Sequence, residues 1–285
     1  MSGFVYLVAW RFIGLLPQKI SDLLFARIAR IQCSKNGKAV QQLRHNLSVV
    51  TKLEGAELEQ VVEAGMISYS RYWSQVFRLP RWSDQEVLRK VRVVNEGLIL
   101  DEIKLGRPVI AAVTHMGNWA LAGRWFAIKL GRIFTVVEHL KPERVFKAFL
   151  NYRTKIGFVA FPTKDRSTVP NLLTALNEPN LIALVSDRDM SSSGVIVDLL
   201  GRKASFPSGP ASLAYKTKAA LVTVEIYNDG DGIVIVVEPE IEIQYLAPKD
   251  LEVKRVTQEI ANRFSRHISS HPQDWHVLQR VFLDA

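Results

Sequence analysis

The spacing of apolar positions changes character near residue 105. Before it, apolar side chains recur at helical intervals. The pattern predicts helices over residues 4–31 (interrupted at Pro17), 41–50, 56–77 and 95–104, with Pro80 stopping the third. From Arg107 onward, short β-branched runs alternate with longer amphipathic ones. Strands are predicted over residues 109–115, 134–140, 158–162, 181–187, 195–200, 221–227 and 233–238. Helices are predicted over 119–130, 143–156, 170–176, 210–217 and 249–269. Asn228-Asp229-Gly230-Asp231-Gly232 reads as the turn of a hairpin between the last two strands. Such alternation predicts an α/β fold: a central, mostly parallel sheet flanked by helices, with a helical N-terminal layer. With no repeat or linker in sight, the expectation is one domain over 1–285, comprising a helical layer (1–105) and an α/β core (106–285).

Charge adds a location to this picture. The chain has 285 residues, 48% of them hydrophobic, and a formal net charge of +9. Up to Val50 the basic residues Arg11, Lys19, Arg27, Arg30, Lys35, Lys38 and Arg44 are opposed only by Asp22 and are interleaved with Phe4, Trp10, Leu15, Leu23 and Phe25. That mixture suits a helix lying on an anionic membrane surface, and equally a helix packed on the core with a solvated basic face. Arg11 breaks the first apolar stretch well short of the ~20 residues a span needs. No basic n-region or cleavage site marks a signal peptide. A single cysteine, Cys33, excludes an intrachain disulfide. The resulting expectation is a peripheral protein on the cytoplasmic face of the plasma membrane. No nucleic-acid-binding module accompanies the basic charge, so nucleic acid is not an expected partner.

Candidate chemistry centres on His115. The chain has no P-loop, dinucleotide-binding glycine fingerprint, Gly-x-Ser-x-Gly elbow or His-Glu-x-x-His motif, and one cysteine cannot build a zinc cluster. His115 follows the apolar run 109–114 and precedes a Gly117-Asn118 turn and a helix start, where open α/β sheets bind ligands. A second apolar run, 181–185, ends in Ser186-Asp187-Arg188-Asp189. In a parallel sheet both ends share one edge, so Asp187 or Asp189 can meet His115 and fix its tautomer. The alternative for that acidic stretch is a surface loop with local ion pairs. Residues 138–143, containing Glu138 and Lys141, read either as site residues or as a charged turn. Arg153 reads as a phosphate clamp or a solvated helix arginine. Residues 202–210 read as a basic loop entering a helix.

Taken in order, these segments resemble the bacterial lysophospholipid acyltransferase-like superfamily that includes the lipid A acyltransferases, and within it the phosphatidylinositol mannoside acyltransferase family of actinobacteria. The resemblance rests on Arg71-Tyr72-Trp73, Phe77-Arg78-Leu79-Pro80, His115-x-Gly117-Asn118-Trp119-x-x-Ala122-Gly123, Leu140-Lys141-Pro142-Glu143, Tyr152-Arg153, Asp187-Arg188-Asp189, Gly194-Val195-x-Val197-Asp198, Gly209-Pro210-Ala211 and Asp274-Trp275-His276-x-Leu278-Gln279. It implies transfer of a long acyl chain, such as palmitoyl, from acyl-CoA as co-substrate to a mannose hydroxyl of a phosphatidylinositol mannoside. Neither cofactor nor metal is implied. His115 would be the general base and Asp187 its orienting carboxylate, one methylene shorter than the family's usual glutamate. Arg153 and Ser193 match donor-contacting positions; Glu138, Lys141 and Arg188 would line the substrate site, and Lys216 falls where relatives can carry an acid. The family usually carries an acid five positions after the histidine, where this chain has Ala120. Three readings follow: Asp187 alone supports the histidine, the position has been changed to alanine, or the chain is an impaired lipid-binding homologue. Another glycolipid or a lysophospholipid is the alternative acceptor. On this reading Ala120→Asp is expected to raise transfer several-fold.

Overall fold

The structure, a computed structural model, describes residues 13–139, 141–163, 165–189 and 194–283. Three helices lead, α1 (Gln18–Lys35), α2 (Lys38–Thr51) and α3 (Gly55–Arg78). α1 begins directly after Pro17, where the sequence pattern breaks; the predicted helix before residue 13 lies outside the described residues. α3 gives way at Arg78 to a single tight turn, Leu79–Arg81, that holds Pro80.

Two short elements that apolar periodicity passes over come next, α4 (Asp84–Lys90) and β1 (Val91–Val94). α4 carried a local signal: Ser83 caps it, its Oγ accepting the Glu86 N–H at 3.2 Å. After α5 (Gly97–Lys104) the alternation runs β2 (Val109–Val113), α6 (Trp119–Leu130), β3 (Ile133–Val137), α7 (Glu143–Lys155), β4 (Phe158–Pro162), α8 (Thr168–Ala175) and β5 (Leu181–Val185). It continues through β6 (Val195–Leu199), β7 (Arg202–Phe206), α9 (Gly209–Thr217), β8 (Ala220–Asp229), β9 (Gly232–Val237) and α10 (Lys249–Ser270).

Seven strands form one sheet in the order β1-β9-β8-β2-β5-β3-β4. Strands β8, β2, β5, β3 and β4 are parallel neighbours, as helical crossovers require. β8 turns back on β9 as the predicted hairpin, and β1 lies parallel to β9 at the edge. The predicted strand at 195–200 is not part of this sheet. It pairs antiparallel with 202–206, which the sequence reading took for a basic loop. The reason is local: Leu200 and Gly201 both have positive φ (55° and 80°), the geometry of a two-residue hairpin turn, and two residues cannot make a parallel crossover.

The sheet is buried on both faces, and its period-2 alternation divides the core. In β2, Ile110 and Ala112 join the cluster under α9 and α10, while Val109, Ala111 and Val113 join the one under α3, α6 and α7. A third cluster, including Leu43, Leu47, Val62 and Met66, holds the N-terminal helices together. α1 keeps apolar side chains outside these clusters: Leu23 is 72% exposed and Ile20 54%. Among the described residues no helix is long and apolar enough to cross a membrane.

Candidate active site

β2 and β5 pair in register, Val113 opposite Val185. Two residues beyond each strand, at the same level of the sheet's C-terminal edge, stand His115 and Asp187. The adjacency expected from sequence is therefore built by strand register alone. His115 Nδ1 lies 2.6 Å from Asp187 Oδ1, and the His115 backbone N–H donates to Oδ2 at 2.9 Å. Of the two carboxylates left open by sequence, Asp187 makes the contact. Asp189 follows the small hairpin instead, its N–H donating to the Ser205 carbonyl.

Asp187 is completely buried. Burial opposes its charge. The His115 ring and backbone N–H and the Trp275 indole outweigh that penalty, and the carboxyl sits below its ordinary range. An ionised Asp187 only accepts, so Nδ1 carries the imidazole proton and Nε2 is left with a lone pair. The His115 ring remains partly exposed. One face thus has a fixed tautomer and the other an open basic nitrogen.

The turn after His115 explains its Gly-Asn sequence. Gly117 has φ +55°, and a Cβ there would stand 2.8 Å from the Ile226 carbonyl oxygen, so only glycine fits. Asn118 caps α6, its Oδ1 accepting the Leu121 N–H at 2.9 Å, while its amide N–H donates to Gln75 Oε1 at 2.7 Å. Trp119 stacks on Tyr72 (4.0 Å, 22°) and meets the His115 ring edge-on (5.3 Å, 86°).

A narrow cavity of about 70 Å³ runs beneath Trp119. One wall is a single face of the sheet, including Ala111, Val113, Thr135, Ala183 and Val185; the other is the i, i+3, i+4, i+7 stripe of α6, Trp119, Ala122, Gly123 and Phe126. Gly123 lets α6 pack closely on Phe158 and Ile133, which also line the cavity. A Cβ on Gly123 would lie 2.3 Å from Phe158 Cζ and 2.9 Å from Ile133 Cδ1. Arg153 also lines it and is not a solvated helix arginine. It is buried, its guanidinium 4.8 Å from the Phe149 ring and 5.1 Å from that of Phe158, with Nε lacking a hydrogen-bond partner.

The C-terminal segment completes the site. The Trp275 indole N–H donates to Asp187 Oδ2 at 2.9 Å, the His276 N–H to the His115 carbonyl at 2.8 Å and the Gly117 N–H to the Asp274 carbonyl at 2.9 Å. Asp274 Oδ1 takes the Ser68 hydroxyl proton at 2.6 Å, so Ser68 Oγ must accept from His276 Nε2, 2.8 Å away. Burial drives His276 down to about 4, against the pull of Asp274, and it is neutral.

The remaining predicted residues are dispersed. Glu138 and Lys141 are exposed beyond β3, on the same edge of the sheet as Asp187. Arg188 is partly buried, with its Nε unpartnered. Lys216 is not brought to the site: it is exposed in the last turn of α9, which leads into the start of β8, at the edge opposite His115. Ser193 lies outside the described residues. Ala120 is fully buried within the apolar cluster under α6 and is not among the residues lining the cavity. Sequence reasoning gave no role to Trp119, Gln75 or Trp275, although Trp119 and Trp275 both stood in quoted motifs. Among the described residues no group of three or more His, Cys, Asp or Glu is placed to hold a metal.

Known proteins resemble the chain along its whole length. The family model described as bacterial lipid A biosynthesis acyltransferase matches residues 1–284. A phosphatidylinositol mannoside acyltransferase of Mycolicibacterium smegmatis is 34% identical over 277 residues, covering 96% of this chain and 89% of its own. Proteins of the same description from two strains of Mycobacterium tuberculosis are each 33% identical over 287 residues, covering 99% of this chain and 89% of theirs.

Proposed function

The chain belongs to the bacterial lipid A biosynthesis acyltransferase family, and we propose that it transfers a long acyl chain, palmitoyl in the leading case, from acyl-CoA to a mannose hydroxyl of a phosphatidylinositol mannoside. An acyltransferase acting on lipid follows from the family; the donor, the acceptor and the roles below are this proposal. The observation that carries it is the His115 Nδ1–Asp187 Oδ1 contact of 2.6 Å at the sheet edge.

In the proposed reaction, His115 Nε2 takes the proton of the acceptor hydroxyl as its oxygen attacks the thioester carbonyl. Asp187 stabilises the imidazolium that forms, without itself becoming protonated. The C–S bond then breaks, the acyl group stays on the sugar oxygen, and the imidazolium proton passes to the departing CoA thiolate. The acyl tail enters the apolar cavity lined by Trp119, whose ring meets that of His115 edge-on; at about 70 Å³ the cavity as it stands takes only part of a long chain and must widen to hold the rest. Arg153, Arg188, Lys141 and Ser193 serve the donor side, and Glu138 lies on the same rim. The exposed apolar residues of α1, with Lys19, Arg27, Arg30 and Lys35 among them, rest on anionic lipid, giving peripheral attachment at the cytoplasmic face of the plasma membrane.

The second reading, an impaired lipid-binding homologue, draws on Ala120. Against it, Asp187 already occupies Nδ1, so no acid at position 120 is needed to set the tautomer. The test is release of CoA from palmitoyl-CoA with and without a mannosylated phosphatidylinositol. Acceptor-dependent release by this chain, absent in His115→Ala, supports the proposal. Lipid retention with no CoA released supports the impaired binder; release dependent on a different glycolipid or a lysophospholipid reassigns the acceptor.

A further inference from the structure

Asp187 receives three N–H groups, and two of them belong to His115 itself, its ring Nδ1 and its backbone. A carboxylate held only by the residue it orients has no independent reference. The third donor supplies one: the Trp275 indole, 2.9 Å from Oδ2, reaching across 88 positions of the chain. Trp275 is itself immobilised. It is completely buried, Met116 forms an antiparallel bridge with it, and its ring packs edge-on to Phe282. On either side the chain is tied down at Asp274, by Ser68 and Asn228, and at His276, through the His115 carbonyl.

We propose that Trp275 is a positioning residue for the transfer: its indole N–H fixes the rotamer of Asp187 and thereby the ring plane and tautomer of His115. The inference rests on the dyad reading above. The side chain suits the task because an indole N–H donates and cannot accept, so it favours the ionised form of Asp187, whose oxygens are the stronger acceptors, while the ring fills core volume. Since it is fully buried, Trp275 touches no substrate and acts through Asp187.

Trp275→Phe keeps most of the ring and removes the donor. Expected for the folded variant are an unchanged KM for acyl-CoA and a kcat lower by about tenfold or more. The acid limb of the pH–rate profile moves to higher pH, because a carboxylate that has lost a donor holds the imidazolium proton more tightly. A purely packing role moves neither kcat relative to KM nor that limb, so a folded Phe variant with wild-type kcat and an unshifted limb overturns the inference. Because Phe can perturb packing, near-ultraviolet circular dichroism and Tm establish the fold, and the His115 Nδ1 proton is followed by NMR, identified by its disappearance in His115→Ala. If wild type releases no CoA, the acyl-transfer reading fails, and the NMR signal still decides: a shifted or broadened Nδ1 proton in Trp275→Phe supports positioning, an unchanged one refutes it.

Discussion

Replacing Asp187 by Asn is the sharpest perturbation of the dyad, because the two side chains share one shape and differ in what they can accept. Three donors converge on the native carboxylate, at 2.6, 2.9 and 2.9 Å. An amide offers one oxygen and one NH2. If the oxygen faces His115 Nδ1, the NH2 meets two N–H groups in a closed site, each left unsatisfied at ~1–3 kcal/mol. If the NH2 faces Nδ1, that nitrogen must become the acceptor, the ring proton moves to Nε2, and the base is lost. In a histidine–carboxylate pair, the wrong tautomer costs ~10⁴ in kcat, equivalent to ~5.5 kcal/mol of transition-state stabilisation. The assay is CoA release from palmitoyl-CoA at saturating mannosylated acceptor, with KM for each substrate measured separately. The expected result is a kcat reduced by ~10³–10⁴ with little change in KM. A folded Asp187→Asn protein within tenfold of wild type would falsify the claim that Asp187 sets the tautomer of His115.

Four further outcomes are expected. Ala120→Asp, which sequence reasoning favours as a gain, enters a fully buried apolar cluster; an uncompensated carboxylate there costs ~3–5 kcal/mol, so Tm drops without higher turnover, and a more active variant of normal Tm overturns this. Gly123→Val collides with Phe158 and Ile133, so transfer from long-chain acyl-CoA falls at least tenfold more than from short-chain donors; equal losses across a chain-length series count against the cavity as the tail's site. For pH dependence, His276 is held at about 4 and Glu238 at about 2, in the latter case because Thr223, His267 and Arg263 outweigh burial. Both are depressed, so the stability from His276 is present above its ordinary 6.5 and lost as pH falls toward 4, and that from Glu238 is lost between 4.5 and 2; urea unfolding at pH 7, 5.5 and 4 should show the first loss, and a flat profile down to pH 4 refutes it. Ile20→Glu with Leu23→Glu leaves the core untouched and should weaken sedimentation with anionic vesicles by about tenfold or more; undiminished binding removes α1 from the membrane surface.

The legible part of the fold was the part governed by local rules. β2 and β5 announced themselves because both faces of each are buried, which writes an unbroken apolar run. Their parallel pairing then brought His115 to Asp187 without any further information. The β8–β9 hairpin was carried by its Gly230-Asp231 turn, with Gly230 at positive φ. What stayed hidden depends on remote partners. Val91–Val94 is too short to signal a strand and exists because β9 lies beside it. Residues 202–206 read as a loop because the positive φ of Leu200, which lets them fold back, is unusual for that residue. Arg153 reads from sequence as a phosphate clamp or a solvated arginine, and its burial was not legible because its aromatic cage spans α7 and the start of β4. Trp275 was visible as a motif but mute about its role, since the partner of its N–H is fixed only by the tertiary fold.

That long reach has a consequence for synthesis. His115 and Asp187 emerge from the ribosome well before the segment that steadies them, and at ~5–20 residues per second the 88 positions between Asp187 and Trp275 take about 4–18 s to translate. A nascent chain can pair β2 with β5 in that interval, yet its carboxylate lacks the outside donor. Any product ending before Trp275 would carry the base and its partner without the element that registers them. Translation through residue 275 is thereby written into the active site.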